Sequence, residues 1–313
     1  MSNNIDILTA SEVLARGLLF VGFERVTQQD MTHKRLLEEF RAHYGGLPID
    51  FSQMWYDLQT TTVPGVALTE NEKKFDSFKM FMAANYFLWS HPKNARILAS
   101  RFKLNVRQIH SDEFWKWIYK MSALTEHKVK WDPRFGDDNY AMFIVSVDGV
   151  DFDVWEKPSE RYNIDKGLMS HKSRHGALRY LIALSLWESK CVFIDGPARA
   201  GDIPDIALFR QNLKQKMLEL PGKILIADGG LGSSENDEMG MVSIPNPSDP
   251  HKLHQFKARA RQRHESFNGR LKQFKILQDT FRFPLEKHQH VLKAVCVRVG
   301  YAMESGSPLF DVV

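Results

Sequence analysis

The sequence predicts an α/β fold in which strands are flanked by helices and preceded by a mostly helical N-terminal region. Two apolar runs, 141–147 and 223–227, have the composition of strands buried on both faces, and each is followed by Asp-Gly. The amphipathic spacing of 252–278 predicts a long helix, and 287–303 is predicted to be another. Strands in the middle of the chain with long helices after them therefore indicate the α/β class.

The chain changes character at a polar linker, so we divide it into a helical region, 1–135, and a region that begins with strands, 136–313. In the first region, 95–102 and 106–123 are two predicted helices joined by a tight connector, which is the outline of a helix-turn-helix. An ordinary helical hairpin fits the same pattern. DNA binding by this region therefore stays open.

Further elements are predicted within the α/β region. Alternating apolar and acidic residues over 150–154 predict a half-buried strand, and 177–187 with 191–194 predict a β-hairpin. Residues 206–220 are predicted to be helical. The stretch from Leu231 to Pro250 is rich in Gly, Ser, Pro and acids, and a loop of about 20 residues in a compact domain is typical of an active site.

Composition narrows the class of protein. The chain has 313 residues, of which 43% are hydrophobic and 12% aromatic, so it can bury a core and is not a disordered chain. A net charge of +4 is a weak indication of a nucleic-acid partner. Two cysteines cannot form a disulfide framework, which favours a reducing compartment. The longest early apolar run, 18–23, is too short to span a bilayer, so no membrane association is expected.

Asp148 and Asp228 each follow an apolar run and precede a glycine. If the two strands are neighbours, the two carboxylates converge, and their repulsion favours a bound cation such as Mg²⁺. Without the metal, at least one such carboxyl should have a raised pKa. The alternative is that each aspartate only begins a turn.

Glu265 is the only acidic residue of the predicted helix 252–278, where it is surrounded by cations. It shares a stripe with Arg261, Asn268 and Lys272, opposite the apolar face. A helix with one carboxylate among cations suits a site that holds a metal ion and contacts phosphate, although a salt-bridged surface helix is the alternative. The residues predicted to bind DNA are Arg261, Arg263, Asn268 and Lys272.

Other polar residues near these motifs have two interpretations each. Asp151 and Asp153 are either auxiliary ligands or, as we favour, part of a solvent-facing strand edge. Asp202 and Asp205 precede a helix, where N-capping and complementation of the helix dipole explain them. His264 either contacts phosphate or orients the site, or it is packed within its helix.

The sequential set of motifs resembles the Harbinger-type DDE endonucleases. The motifs are VDGVDF at 147–152, SHK at 170–172, GPARAGDIPDIALFR at 196–210, IADGG at 226–230, RARQRHESFNGRLKQF at 259–274 and SPLFDV at 307–312. The resemblance implies a ribonuclease-H-like mixed sheet with helices on both sides. By position, it also implies that Asp148, Asp228 and Glu265 are the catalytic carboxylates that bind metal. Leu231 departs from the family, in which an aromatic residue often follows the second aspartate.

This resemblance implies a metal-dependent DNA endonuclease or transposase, which would use two Mg²⁺ or Mn²⁺ ions to cleave phosphodiester bonds and join strands. The expected partners of this protein are DNA, a Myb-like DNA-binding protein and a second copy of the chain. The expected location is nuclear, or cytoplasmic in the absence of the partner. The alternatives are a nuclease that cuts without joining, and a domesticated, catalytically inactive DNA-binding or scaffold protein.

Overall fold

The computed structural model describes residues 7–69, 72, 75–155, 165–231 and 240–312. They form two compact units, each built from separate stretches of the chain. The first runs to Glu126 and also includes Gln273–Ile276 and His290–Ser307. The second comprises 127–272, 277–289 and the C-terminal residues from Pro308. The division therefore assigns most of the last long helix to the first unit, although the sequence had grouped it with the strands.

The N-terminal part of the chain is helical, as the sequence predicts. Its helices are α1 (Ala10–Phe20), α2 (Arg25–Gln29), α3 (His33–Tyr44), α4 (Pro48–Thr60), α5 (Phe75–Ser90), α6 (Ala95–Phe102), α7 (Val106–His110), α8 (Asp112–Ala123) and α9 (Thr125–Lys128). Side chains cap several of these helices: Thr9 accepts a hydrogen bond from the Glu12 amide, and Asn94 accepts one from the Arg96 amide.

The predicted helix 106–123 is interrupted, which changes the outline of a helix-turn-helix. Ser111 adopts an extended conformation with φ −81° and ψ 160°, and its hydroxyl donates to the Gln108 carbonyl. The chain therefore forms the five-residue α7 and then α8. The continuous second helix that the sequence predicted is wrong, because a serine bonded to the preceding turn competes with the helix.

The last long helix, α14 (His288–Glu304), supplies buried polar contacts within the first unit. Arg298 is 2% exposed and donates to Asn85 Oδ1 at 2.6 Å and to the Tyr44 carbonyl at 2.7 Å. Tyr301 donates to Asp57 Oδ2 at 2.6 Å. These hydrogen bonds join α14 to helices near the start of the chain.

The second unit contains a five-stranded mixed sheet in the order β3-β2-β1-β4-β5. The strands are β1 (Phe143–Asp153), β2 (Ala177–Ser185), β3 (Cys191–Arg199), β4 (Ile224–Ala227) and β5 (Val242–Ser243). β1, β2 and β3 are antiparallel neighbours, whereas β4 is parallel to both β1 and β5. The predicted hairpin and the two predicted buried strands are confirmed.

Two details of the predicted strands need correction. Residues 150–154 are not a separate strand, because β1 continues from Phe143 to Asp153 without a break. The loop predicted between Leu231 and Pro250 contains β5, which pairs with β4. Residues 232–239 of that loop lie outside the described part of the chain.

Helices cover both faces of this sheet. α10 (Asp205–Leu208), a π-helical turn (Phe209–Leu213) and α11 (Lys214–Leu218) contribute buried apolar residues to a core shared with Val147 of β1. On the opposite face, the long α12 (His251–Gln273) packs Ala260 in a cluster with Ile226 of β4. A short α13 (Lys275–Gln278) follows α12.

Side chains of β1 alternate between these two faces, as strand geometry requires. Ser146 and Asp148 are directed to the α12 face, where Ser146 Oγ lies 3.2 Å from His264 Nδ1. Among the described residues, no helix is both long enough and apolar enough to cross a membrane.

Candidate active site

The sheet brings Asp148 and Asp228 together. Val147 of β1 is paired with Ala227 of the parallel β4, so the two aspartates follow paired residues on adjacent strands. Neighbouring strands are separated by roughly 4.8 Å. The condition on which the sequence prediction depended, that these two strands are neighbours, is therefore met.

Asp228 also forms a turn, which was the alternative interpretation. Its Oδ1 accepts a hydrogen bond of 2.9 Å from the Gly230 amide. This hydrogen bond uses one carboxylate oxygen, so turn formation and participation in a site are compatible.

Helix α12 supplies the third carboxylate to the same cleft. Glu265 is exposed, and Asn268, three residues later, donates from Nδ2 to Asp148 Oδ2 at 2.8 Å. The cleft has a volume of about 610 Å³. Its charged and polar lining includes Asp148, Asp228, Glu265, Asn268, Lys172 and Lys272.

The pKa of Asp148 reflects its burial and the other charged side chains of the cleft. Burial raises the pKa of Asp148 to about 6, with further increases from the charges of Asp228, Glu265 and Asp205, against the opposing effect of Lys172. A carboxyl with a raised pKa was expected for converging acids without a metal. Burial contributes more than repulsion, however, because the ionised form is desolvated at the strand.

Asp205 is a further carboxylate of this region that the sequence interpretation did not assign to the site. It is the first residue of α10 and is 7% exposed. The N-cap of α10 is Pro204, so the expectation that Asp202 or Asp205 caps this helix is wrong, although Asp205 does place an acid in the first turn, where it complements the helix dipole. A Cβ atom at Gly149 would lie only 2.3 Å from Asp205 Cγ. Glycine beside Asp148 therefore allows Asp205 to approach β1 from the opposite face.

The Asp205 carboxylate also lies close to Asp228. A Cβ atom built at Gly230 would be 3.1 Å from Asp228 Oδ1 and 3.5 Å from Asp205 Oδ2. Burial raises the pKa of Asp205, while Arg179, whose Nε lies 3.2 Å from Asp205 Oδ1, lowers it. Four acidic side chains thus influence one another here.

Asp151 belongs to a buried ion pair. Its oxygens accept hydrogen bonds of 2.7 and 2.8 Å from Arg179, and Ser170 Oγ donates to it at 2.6 Å. Burial opposes ionisation of Asp151, but these hydrogen bonds outweigh it and lower the pKa. The expectation of a solvent-facing edge is wrong for Asp151, whose side chain is 5% exposed.

Ser170 also fixes the loop that carries Lys172. The amides of Lys172 and Ser173 donate to Ser170 Oγ at 3.1 and 3.4 Å. Lys172 Nζ then donates to the Gly149 carbonyl at 3.2 Å, next to Asp148. An exposed lysine is thereby placed at the carboxylates by a buried hydrogen-bond network.

The predicted DNA-contacting residues separate into two groups. Arg261 and Lys272 are exposed, and each lines a cavity that Glu265 also lines. Arg263, by contrast, is 1% exposed and donates to the carbonyls of Leu186 at 2.8 Å and Glu188 at 2.6 Å. It does not lie on the predicted surface, because its guanidinium is bonded to the β2–β3 turn.

Two other side chains of α12 also point inward. Asn268 is 7% exposed, and its contact is with Asp148. His264 is 2% exposed, and burial lowers its pKa to about 3. Of its two interpretations, this burial supports a histidine packed within its helix.

Signals for the missed residues were present in the sequence but were local and weak. Gly149 indicated a close approach to β1, yet nothing identified Asp205 as the group that approaches. Lys172 lies in the SHK motif, and its role depends on where the Ser170 hydrogen bonds place the loop.

The donor chemistry of the cleft fits Mg²⁺ or Mn²⁺, because carboxylate oxygens are the ligands that these hard ions prefer. The raised pKa of Asp148, which is due to burial and like charges, indicates that a cation would relieve an existing cost. Within the described ranges, however, no group of three His, Cys, Asp or Glu side chains is arranged closely enough to hold a metal ion.

Comparisons of the chain with protein-family models, curated proteins and solved structures gave no match.

Proposed function

We propose that this protein is a metal-dependent DNA endonuclease of the DDE type, related to Harbinger-type transposases, with a ribonuclease-H-like sheet. One observation carries the proposal: Asp148, Asp228 and Glu265, which come from two adjacent strands and a helix, line a single cleft. The mixed sheet with helices on both faces supports the fold assignment. The sequence motifs support the family assignment.

In this proposal the three carboxylates hold the divalent cations. When bound, Mg²⁺ or Mn²⁺ would supply activation of a water or a 3′-hydroxyl and would offset the charge of the phosphodiester under attack. Asp148 would bind from within β1 and Asp228 from the residue after β4, both held by the sheet, whereas Glu265 is exposed on α12 and has rotamer freedom with which to complete the site.

The basic side chains at the cleft would bind the phosphates of the DNA backbone. Lys172 and Lys272 line the cleft together with the carboxylates and would donate to phosphate oxygens, and Arg261 would extend this contact along α12. Such contacts bind and orient DNA without reading its sequence. Sequence recognition would fall to the N-terminal helices or to a Myb-like partner in the nucleus, and α6 with α7 would be the helix-turn-helix.

The test is cleavage of a labelled DNA duplex in Mn²⁺. Asp148→Ala, Asp228→Ala and Glu265→Ala should each abolish cleavage and leave DNA binding in place, because each removes a metal ligand and no phosphate donor. The matched control is Asp202→Ala, which removes an exposed carboxylate paired with Arg199 outside the cleft. Activity of a cleft variant within a few-fold of wild type would remove that residue from the proposed set.

A catalytically inactive DNA-binding or scaffold protein is the second candidate. It is favoured by the absence, among the described residues, of three potential ligands already gathered for a metal ion. If the wild-type protein binds the duplex but produces neither nicks nor joined products in Mn²⁺, this second candidate replaces the first.

A further inference from the structure

Asn268 lies in the cleft and makes one specific contact. The residue is 7% exposed, and its Nδ2 donates to Asp148 Oδ2 at 2.8 Å. Its Oδ1 is buried and has no hydrogen-bond partner within the described part of the chain. The side-chain hydrogen bonding of this amide is therefore directed to Asp148.

Packing alone does not explain an asparagine at this position. Burying an amide is unfavourable unless its polar groups are hydrogen-bonded, and here one of them is not. Neighbouring inward positions of α12 are occupied by Phe267 and Leu271, both 0% exposed. An apolar residue would fill position 268 without an unsatisfied oxygen, so the amide is accounted for by its bond to the carboxylate.

The position of Asn268 on α12 gives this bond a consequence for the site. Residues three apart lie on one face of a helix, so the turn that presents Glu265 also presents Asn268. Its bond to Asp148 joins this turn to β1 and fixes one carboxylate oxygen, which leaves the other oxygen for a ligand. An amide does this without adding charge to the four carboxylates already present.

We propose that Asn268 is a positioning residue for Asp148, and that the affinity of the cleft for a divalent cation depends on Asn268 although it is not a ligand. This inference rests on the proposed function, since it requires Asp148 to bind the cation. Asn268 acts through Asp148, as residues that hydrogen-bond to metal ligands do in other metal sites. The DNA contact that the sequence predicted for Asn268 is replaced by this role.

The experiment measures Mn²⁺ binding to the full-length protein without DNA, by calorimetry and by the electron paramagnetic resonance of free Mn²⁺. Asn268→Leu removes the donor at similar volume, and Asn268→Ala removes it without adding bulk. Each should weaken Mn²⁺ binding by about 10-fold or more, the usual effect of losing such a partner. In duplex cleavage, each should lower kcat and leave KM nearly unchanged, because Asn268 holds no phosphate.

The matched control is Leu271→Ala, which loosens the packing of the same helix and is not part of the cleft lining. It should lower the melting temperature and leave Mn²⁺ affinity unchanged. The inference is overturned if both Asn268 variants bind Mn²⁺ as tightly as wild type. It is also overturned if Leu271→Ala weakens binding as much as they do.

Asp148→Ala separates failure of this inference from failure of the proposed function. If Asp148→Ala weakens Mn²⁺ binding and the Asn268 variants do not, only the positioning role is wrong. If Asp148→Ala also binds Mn²⁺ like wild type, or if wild type binds none, the proposed metal site itself is wrong.

Discussion

Asp148 is a residue at which burial and like charge act together. It lies on a central strand, receives a hydrogen bond from Asn268, and is influenced by three other carboxylates. Together burial and these charges raise its pKa to about 6, above the ordinary value of 3.8. The folded, metal-free protein therefore binds a proton at Asp148 more tightly than the unfolded chain does.

This difference has a defined sign for stability. Well below pH 3.8 both states are protonated at Asp148, and its carboxyl does not change the free energy of unfolding. The destabilisation grows as pH rises through this value and is complete above about pH 6. Asp148→Asn removes this titration while keeping an acceptor for Asn268. In EDTA it should match wild type at about pH 3 and exceed it above pH 7 by about 3 kcal/mol in free energy of unfolding.

Urea denaturation at the two pH values checks this prediction. Asp202→Asn, at an exposed ion pair, is the control and should show no gain that depends on pH. An equal difference between Asp148→Asn and wild type at both pH values would mean that the Asp148 carboxyl titrates normally in the folded protein.

At the scale of elements, the basic residues of α12 have two different roles. Arg263 is buried and donates to carbonyls of the β2–β3 turn, so it attaches the helix to the sheet. Arg261 and Lys272 remain exposed beside Glu265. A basic residue of α12 therefore either attaches the helix to the sheet or contributes surface charge, depending on which side of the helix it occupies.

The exposed face of α12 should account for part of the salt dependence of DNA binding. Each phosphate contact releases counterions, so replacing Arg261 and Lys272 together with alanine should reduce the slope of log K against log salt by about 2. Fluorescence anisotropy with a labelled duplex over a range of salt concentrations measures this slope.

Lys252→Ala is the control for that titration. Lys252 is exposed in the first turn of α12, about 20 Å along the helix from Glu265 at 1.5 Å per residue, and its removal should leave the slope unchanged. If the double variant keeps the wild-type slope, this face of α12 does not contact DNA.

On the scale of the whole molecule, the first unit is built from stretches that are far apart in the sequence. Residues 290–307 belong with the N-terminal helices, although the sheet lies between them in sequence. Arg298 hydrogen-bonds Asn85 and the Tyr44 carbonyl, and its guanidinium lies 4.0 Å from the centre of the Phe51 ring. The first unit is therefore incomplete without α14.

A fragment of residues 1–126 should consequently unfold at a lower temperature and less cooperatively than the same fragment joined to 290–307 by a flexible linker. The joined fragment restores the Arg298 contacts and the hydrogen bond from Tyr301 to Asp57. Thermal melts followed by circular dichroism compare the two. Equal midpoints would show that α14 does not contribute to the stability of this unit.

The sequence by itself determined the strands, the long helices and the three acids to consider. Apolar runs and helical periodicity are local properties, so β1, β4, the hairpin and α12 could be predicted within a few residues. The Asp-Gly pairs after two apolar runs identified Asp148 and Asp228 because such a run is visible in a short window, although β1 continues through Asp148 to Asp153. Within the described residues, the prediction missed the break at Ser111, the strand β5, the continuation of β1 to Asp153 and the end of α12 at Gln273.

Tertiary structure decided which polar side chains face the cleft. Arg263 and Asn268 had the same apparent exposure in sequence as Arg261 and Lys272, but the sheet lies against one side of α12 and buries the first two. Asp205 reaches Gly149 through a separation of more than 50 residues, which no local pattern contains. The assignment of α14 likewise depends on contacts with distant helices, because burial is a property of neighbours in space and not of neighbours in sequence.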